Sequence, residues 1–291
     1  MDKESNRRKG IIFMVISCVW FALMQILVKL TGGTIPLFEQ VFFRNLVTLI
    51  LCGYLCYRNG DSFFGKKENQ IKLIGRSLLG YLGVVTYFYA INHLDSADAT
   101  ILQKSSPIFV IIFAAVFLKE KLTRLKITTL ILCFIGTMFV VRPQFNMDLV
   151  PALSGVSSAA FAGGAYTILS HLNKTEKPNT IIFYFSLFSC AVSLPLMIMN
   201  FVKPTAMELL LLFGIGVFAG LGQIFLTLSY RFGEASEVSI FNYSTVVFTT
   251  LLGFVLFREI ISPYSLVGII LIFGSSYYQY LKIRRYGEKE R

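Results

Sequence analysis

An all-α integral membrane protein of ten transmembrane helices, built as two five-helix repeats of inverted topology, is the fold this sequence predicts. Three observations predict it. The 291 residues are 55% hydrophobic and 15% charged, with a mean hydropathy of +0.67, where a soluble domain carries about 25% charged residues. Apolar runs of about 20 residues follow one another along the chain, each sufficient for a hydrocarbon core about 30 Å thick. The second half also repeats the plan of the first. Lipid offers no partner to a free backbone amide, so such runs must be helices, and the alternating pattern of a barrel is missing.

Charges, glycines and prolines divide the chain into the ten elements. The first span, 11–31, follows the basic segment MDKESNRRKG. A signal peptide also opens on charge, but this run is too long and lacks a small-residue cleavage site, so it is expected to be retained. It carries Trp20, the only tryptophan, at mid-span, and Gln25. The second span, 36–57, starts at Pro36 and holds Arg44 within VFFRNLVTLI. The third, 71–93, carries Gly75, Gly80, Gly83 and Tyr87. The fourth, 97–118, opens behind Asp95 and Asp98, contains Gln103, Lys104 and Pro107, and ends at Lys119-Glu120. The fifth is 124–142. The sixth, 148–171, includes Gly163-Gly164, a weak point, and Tyr166. The seventh, 179–201, contains Pro195. The eighth, 207–231, has Gly214, Gly216, Gly220, Gly222 and Gln223. The ninth, 236–257, opens behind Glu234 and Glu237, contains Asn242 and Tyr243, and ends at Arg258-Glu259. The tenth, 263–281, runs into a basic tail.

Orientation follows from loop cations. With a cytoplasmic N-terminus, 21 of the 27 Lys and Arg residues fall inside and four outside (Lys29, Arg142, Lys203, Arg258). Arg44 and Lys104 remain within spans. A cell-membrane protein with both termini cytoplasmic is expected. This distribution also accounts for the net charge of +11. Spread over short inner loops, these cations fit anionic headgroups rather than nucleic acid. The five cysteines lie in apolar runs and read as small hydrophobes.

A shift of 139 residues lays spans three to five on spans eight to ten. Gly83 meets Gly222, Ser105 meets Ser244, and Lys119-Glu120 meets Arg258-Glu259. The expected repeats are 1–145 and 146–291. Five spans per half is an odd number, so the halves enter the membrane from opposite sides. That symmetry is the physical basis of alternating access.

The segment ADATILQKSSPIFVIIFAAVFLKEKLT (97–123) resembles the fourth-span signature of the drug/metabolite transporter superfamily, in its EamA-type branch. FFRNLVTLI resembles the family's second span, and LFREIIS repeats the glutamate that ends the ninth. The resemblance implies a ten-helix carrier for small organic solutes. The second half departs from the pattern at Val246, opposite Pro107, and at Tyr184, opposite Arg44.

Arg44 and Lys104 each lie about 12 Å from the outer end of their spans at 1.5 Å per residue. Charges at such depth usually face the protein interior, where a guanidinium offers a bidentate anchor to a carboxylate or phosphate. Arg44 has the alternative of snorkelling outward or tying helices together, and Lys104 of reaching the outer surface. Trp20, Gln25, Tyr87, Gln103, Tyr166, Gln223, Asn242 and Tyr243 form a candidate polar and aromatic wall; helix-to-helix hydrogen bonding explains any one of them equally. Glu120 and Glu259 are expected to cap neighbouring helices or pair with cations. Asp95, Asp98, Glu234 and Glu237 are expected as helix caps, and the glycines as close-packing positions. Pro107 and Pro195 are candidate kinks.

A secondary carrier is the expected function. An enzyme would need clustered His, Asp or Glu at one depth, and an ATP-driven pump a phosphate-binding loop; the chain has neither. A channel needs no inverted repeat. No cofactor is expected. The expected partners are a small solute and membrane lipids, with a homodimer allowed. The substrate reads as anionic or zwitterionic, such as an amino-acid or nucleotide-like compound, with a lipophilic or aromatic drug as the alternative. The absence of a carboxylate deep in a span favours facilitated transport or exchange over proton symport.

Overall fold

The computed structural model describes residues 3–31, 34–94, 96–143, 145, 148–258 and 261–289. Asp95 and Glu259 lie outside them. The helices are α1 (Lys3–Leu30), α2 (Leu37–Asn59), α3 (Gln70–His93), α4 (Ser96–Gln103), α5 (Ser106–Phe117), α6 (Arg124–Val141), α7 (Leu149–Leu172), α8 (Pro178–Met199), α9 (Ala206–Phe232), α10 (Ala235–Val238), α11 (Ser244–Phe257) and α12 (Pro263–Lys289). Among the described residues nine stretches are long and apolar enough to cross a membrane, with α4–α5 and α10–α11 each counted as one. The tenth span is α3, whose 24 residues include Arg76, three tyrosines and three glycines that dilute its apolar run. It packs along α7 and α8 as a full member of the bundle.

Span four, with Pro107 as a candidate kink, and span nine are both broken. In the first half the break falls between Gln103 and Ser106; in the second a 3-10 turn, Ser239–Tyr243, separates α10 from α11. The repeat shift places Lys104 on Tyr243, so the breaks coincide. Pro107 cannot be the common cause, because Val246 occupies its place in the second half. What the breaks share is local tightening to i→i−3 bonding: Ser105 N–H donates to Leu102 O at 3.1 Å and Ile108 N–H to Ser105 O at 2.9 Å. Carbonyls released in the ninth span are taken up from outside the helix, with Cys18 Sγ donating to Phe241 O at 3.5 Å. Pro195 and Gly163-Gly164 lie within unbroken helices.

Helix pairing obeys the repeat. α1 packs on α9 as α7 packs on α3; α11 on α1 as α5 on α7; α2 on α9 as α8 on α3. Exchanging the first five spans for the last five converts each pair into its counterpart. The pairs α2–α8 and α6–α12 convert into themselves, as a two-fold axis in the membrane plane requires. Ile11 and Ile283 share one buried cluster, so both ends of the bundle's chain lie on one face, called here the termini face.

Two glycine contacts set helix separations. Gly136 and Gly268 bring α6 and α12 together backbone to backbone; a Cβ at Gly136 would stand 2.8 Å from Gly268 O. A Cβ at Gly216 would overlap Val47 of α2. The five cysteines are buried and unbonded to one another.

Candidate functional site

Arg44 projects from the second turn of α2. Lys104 occupies the break between α4 and α5, beside the N-terminus of α5, whose free amides add partial positive charge. Both are surrounded by protein yet only half-buried. Side chains enclosed on all sides that keep accessible surface border an internal space. Among the described residues neither cation has a carboxylate partner, and Arg44 Nε is enclosed without an acceptor. Tyr166 of α7, also deep and half-buried, lies within electrostatic reach of Arg44. Below it Tyr166 stacks on Tyr230 of α9, ring centroids 5.5 Å apart, and the Tyr230 hydroxyl finds no partner.

The other expected wall residues divide. Gln223 lies two turns from Tyr230 on the same face of α9, with Nε2 enclosed and unbonded. Tyr87 hydrogen-bonds Thr100 on α4. Trp20 is half-buried against Phe218 of α9, centroids 5.6 Å apart, and Gln103 is half-buried one residue before Lys104. Gln25 sits exposed near the end of α1, accepting from Thr249 Oγ1 at 3.1 Å. Asn242 Oδ1 accepts from Thr245 Oγ1 at 3.1 Å. Tyr243 is placed elsewhere: it is fully buried among Ile111, Leu130, Cys133 and Ile272, where spans four, five, nine and ten pack.

One residue the sequence reading assigns to the inner loops belongs with this group. Arg76, in α3, is 2% exposed. Its guanidinium lies over the Phe185 ring of α8 at 3.9 Å, with Nε and Nη1 enclosed and unbonded. A signal was present: Arg76 precedes Gly80 and Gly83 by one and two turns, on the face that glycines mark for close packing.

The termini face is closed by bonds between the halves. Glu120 accepts from the amides of Ala235 at 2.9 Å and Ser236 at 2.8 Å, so it caps α10 as expected. Glu234 and Glu237 therefore do not cap it; Glu234, at the N-cap, makes no such bond. Each pairs with a cation instead: Arg7 Nη2 lies 2.6 Å from Glu237 and Lys126 Nζ 2.7 Å from Glu234. On the opposite face, within the first half, Asp98 accepts from the Phe145 amide at 3.1 Å. Between the halves on that face, Thr34 bonds Glu208 at 2.6 Å and Arg142 bonds Ser262 at 2.7 Å through exposed side chains, and the buried Glu39 accepts from the Val202 amide at 3.2 Å. A separate crevice of about 590 Å³ opens between α3, α5 and α7, lined by Leu79, Phe113, Phe117 and Phe161, with Lys72 and His171 as polar groups.

A sequence profile of the EamA-like transporter family matches residues 8–142 and again 150–280. The pseudopaline exporter CntI of Pseudomonas aeruginosa is 35% identical over 91% of this chain and 93% of its own length. The riboflavin transporter of Brucella anthropi is 26% identical over 91% and 96%. The S-adenosylmethionine uptake transporter of Rickettsia felis is 25% identical over 90% and 89%. A solved crystal structure shares the fold, with TM-score 0.84 over 95% of this chain and 98% of that one at 17% identity.

Proposed function

The chain belongs to the EamA-like transporter family and moves a small molecule across a membrane, and from that premise we propose that it is a secondary carrier for an anionic or zwitterionic organic solute, working by alternating access. The observation that carries this reading is the pair Arg44 and Lys104, enclosed at similar depth without a carboxylate partner among the described residues. An uncompensated charge within the bilayer is costly, and a solute carboxylate or phosphate offsets that cost. Residues 1–145 and 146–291 are the modules that exchange conformations, in a cell membrane with both termini cytoplasmic; the loop cations support that orientation. Exchange or facilitated transport fits the carboxylates Glu120, Glu234, Glu237 and Asp98, all engaged at helix ends.

A thermal-shift screen of metabolites on wild type and Arg44→Ala tests the reading. Anionic hits are expected to stabilise wild type and to lose that effect in the variant; anions stabilising both equally would refute it. In liposomes, saturable uptake with counterflow is expected, and ohmic current would make the protein a channel. A second reading, efflux of lipophilic or aromatic compounds, is favoured by the apolar crevice beside Phe113 and Phe161.

A further inference from the structure

Three cations reach the interior of this bundle, and they are not at one level. Arg44 is 15 residues from the end of α2 at Asn59, and Arg76 is six from the start of α3 at Gln70. Both of those ends lie on the termini face. At about 1.5 Å per residue, the Cα of Arg44 stands about 13 Å further from that face than the Cα of Arg76. Lys104, eight residues into the fourth span from the opposite side, shares the level of Arg44. Tyr166, six residues from the end of α7 at Leu172, shares the level of Arg76. Both guanidinium groups lie within electrostatic reach of Tyr166 and of each other.

Arg76 does not behave as a loop cation. From six residues inside a helix end a long side chain can snorkel to the headgroups, yet this one is 2% exposed and held against Phe185 at 3.9 Å. A cation–π contact of this kind holds the guanidinium in place without supplying the oxygen acceptors its N–H groups need. Nε and Nη1 are enclosed with no acceptor, and among the described residues no carboxylate pairs with the group. A buried, unpaired charge retained by a fold is either a structural tie with satisfied donors or half of an ion pair completed by a ligand. The donors here are unsatisfied.

We infer that Arg44 and Arg76 are the two poles of one cavity, and that its ligand carries two acidic groups separated along its length, one held by each guanidinium. The inference rests on the anion-carrier reading above and narrows its substrate class. A single phosphate or carboxylate satisfies one pole and leaves the other uncompensated. Lys104 supports the Arg44 pole, and Tyr166 stands at the level of Arg76 with Tyr230 stacked on it nearer the termini face.

The test uses α,ω-dicarboxylates from succinate to sebacate, each beside its monomethyl ester, in thermal-shift titrations of the purified full chain. One chain length is expected to bind wild type best, with its monoester roughly ten- to a hundredfold weaker, as loss of a charge-assisted contact predicts. Arg44→Ala and Arg76→Ala should each bring the diacid to the level of the monoester. Arg76→Lys, which keeps charge but neither fork nor stack, should fall between. Arg76→Met should melt, ligand-free, no lower than wild type, because it removes an uncompensated charge. Diacid and monoester binding alike, or Arg76→Ala binding the diacid as wild type does, would overturn the two-pole site; if Arg44→Ala still abolished both ligands, the anion-carrier reading would stand. A marked drop in melting temperature for Arg76→Met would make Arg76 a structural tie and overturn the proposal. Indifference of wild type to every carboxylate would sink both readings.

Discussion

The Arg7–Glu237 pair shows how unequal two partners in one bond can be. The Glu237 side chain is 1% exposed and that of Arg7 31%. Arg7→Ala strands a carboxylate in the interior, whereas Glu237→Gln leaves a cation that already meets solvent. Breaking a buried pair by removing one partner costs about 3–5 kcal/mol. Arg7→Ala is expected at the lower end of that range, and Glu237→Gln at about 1 kcal/mol, as for exposed pairs. Denaturation in detergent micelles reads the difference, and equal losses would refute the asymmetry. Sequence alone makes Arg44 conspicuous, because an arginine eight residues into an apolar run has no loop to belong to. Arg76 was illegible for the opposite reason: it is close enough to a basic loop to be counted with it. Its burial depends on Phe185, on a helix distant in sequence. Tyr243 misleads similarly, since a tyrosine beside a helix break looks like a site residue until spans five and ten are seen to cover it.

At the scale of elements, the ten spans and the glycine faces were legible, because length, hydropathy and small-residue spacing are local properties. Of the paired breaks only the first carried a signal, Pro107, and the second carried none. Apolar residues run on through both of them, and the compensation comes from Cys18 on another helix. Glycine contacts yield a sharper expectation. Gly216→Ala forces a methyl group onto Val47 and should cost about 1–3 kcal/mol, the usual penalty of overpacking. Val47→Ala in the same chain should recover part of that loss, so that the double variant melts above Gly216→Ala alone. Additive losses in the cycle would mean that the two residues do not share one contact.

The whole molecule presents two unlike faces. On one, Arg7, Lys126 and Glu120 bind the start of the ninth span from the first half; on the other, Thr34 reaches Glu208 through exposed side chains and the buried Glu39 holds the Val202 amide. Under the alternating-access reading proposed above, the two ion pairs of the first face belong to a form closed toward its termini. In a cysteine-free background, Lys104→Cys should therefore react with a membrane-impermeant thiol reagent from the face opposite the termini. Adding Arg7→Ala should raise labelling from the termini face, since loosening one closure shifts the population toward the other state. Labelling from the termini face alone, before any such change, would reverse the assignment. The inverted repeat behind this exchange was readable from an odd span count and a constant shift, both properties of the chain as a whole. Arg7 lies in the stretch that protein chemists most readily trim or replace with an affinity tag. A shortened form lacking it would leave the buried Glu237 without that guanidinium, so melting temperatures from trimmed and full-length preparations would not be interchangeable.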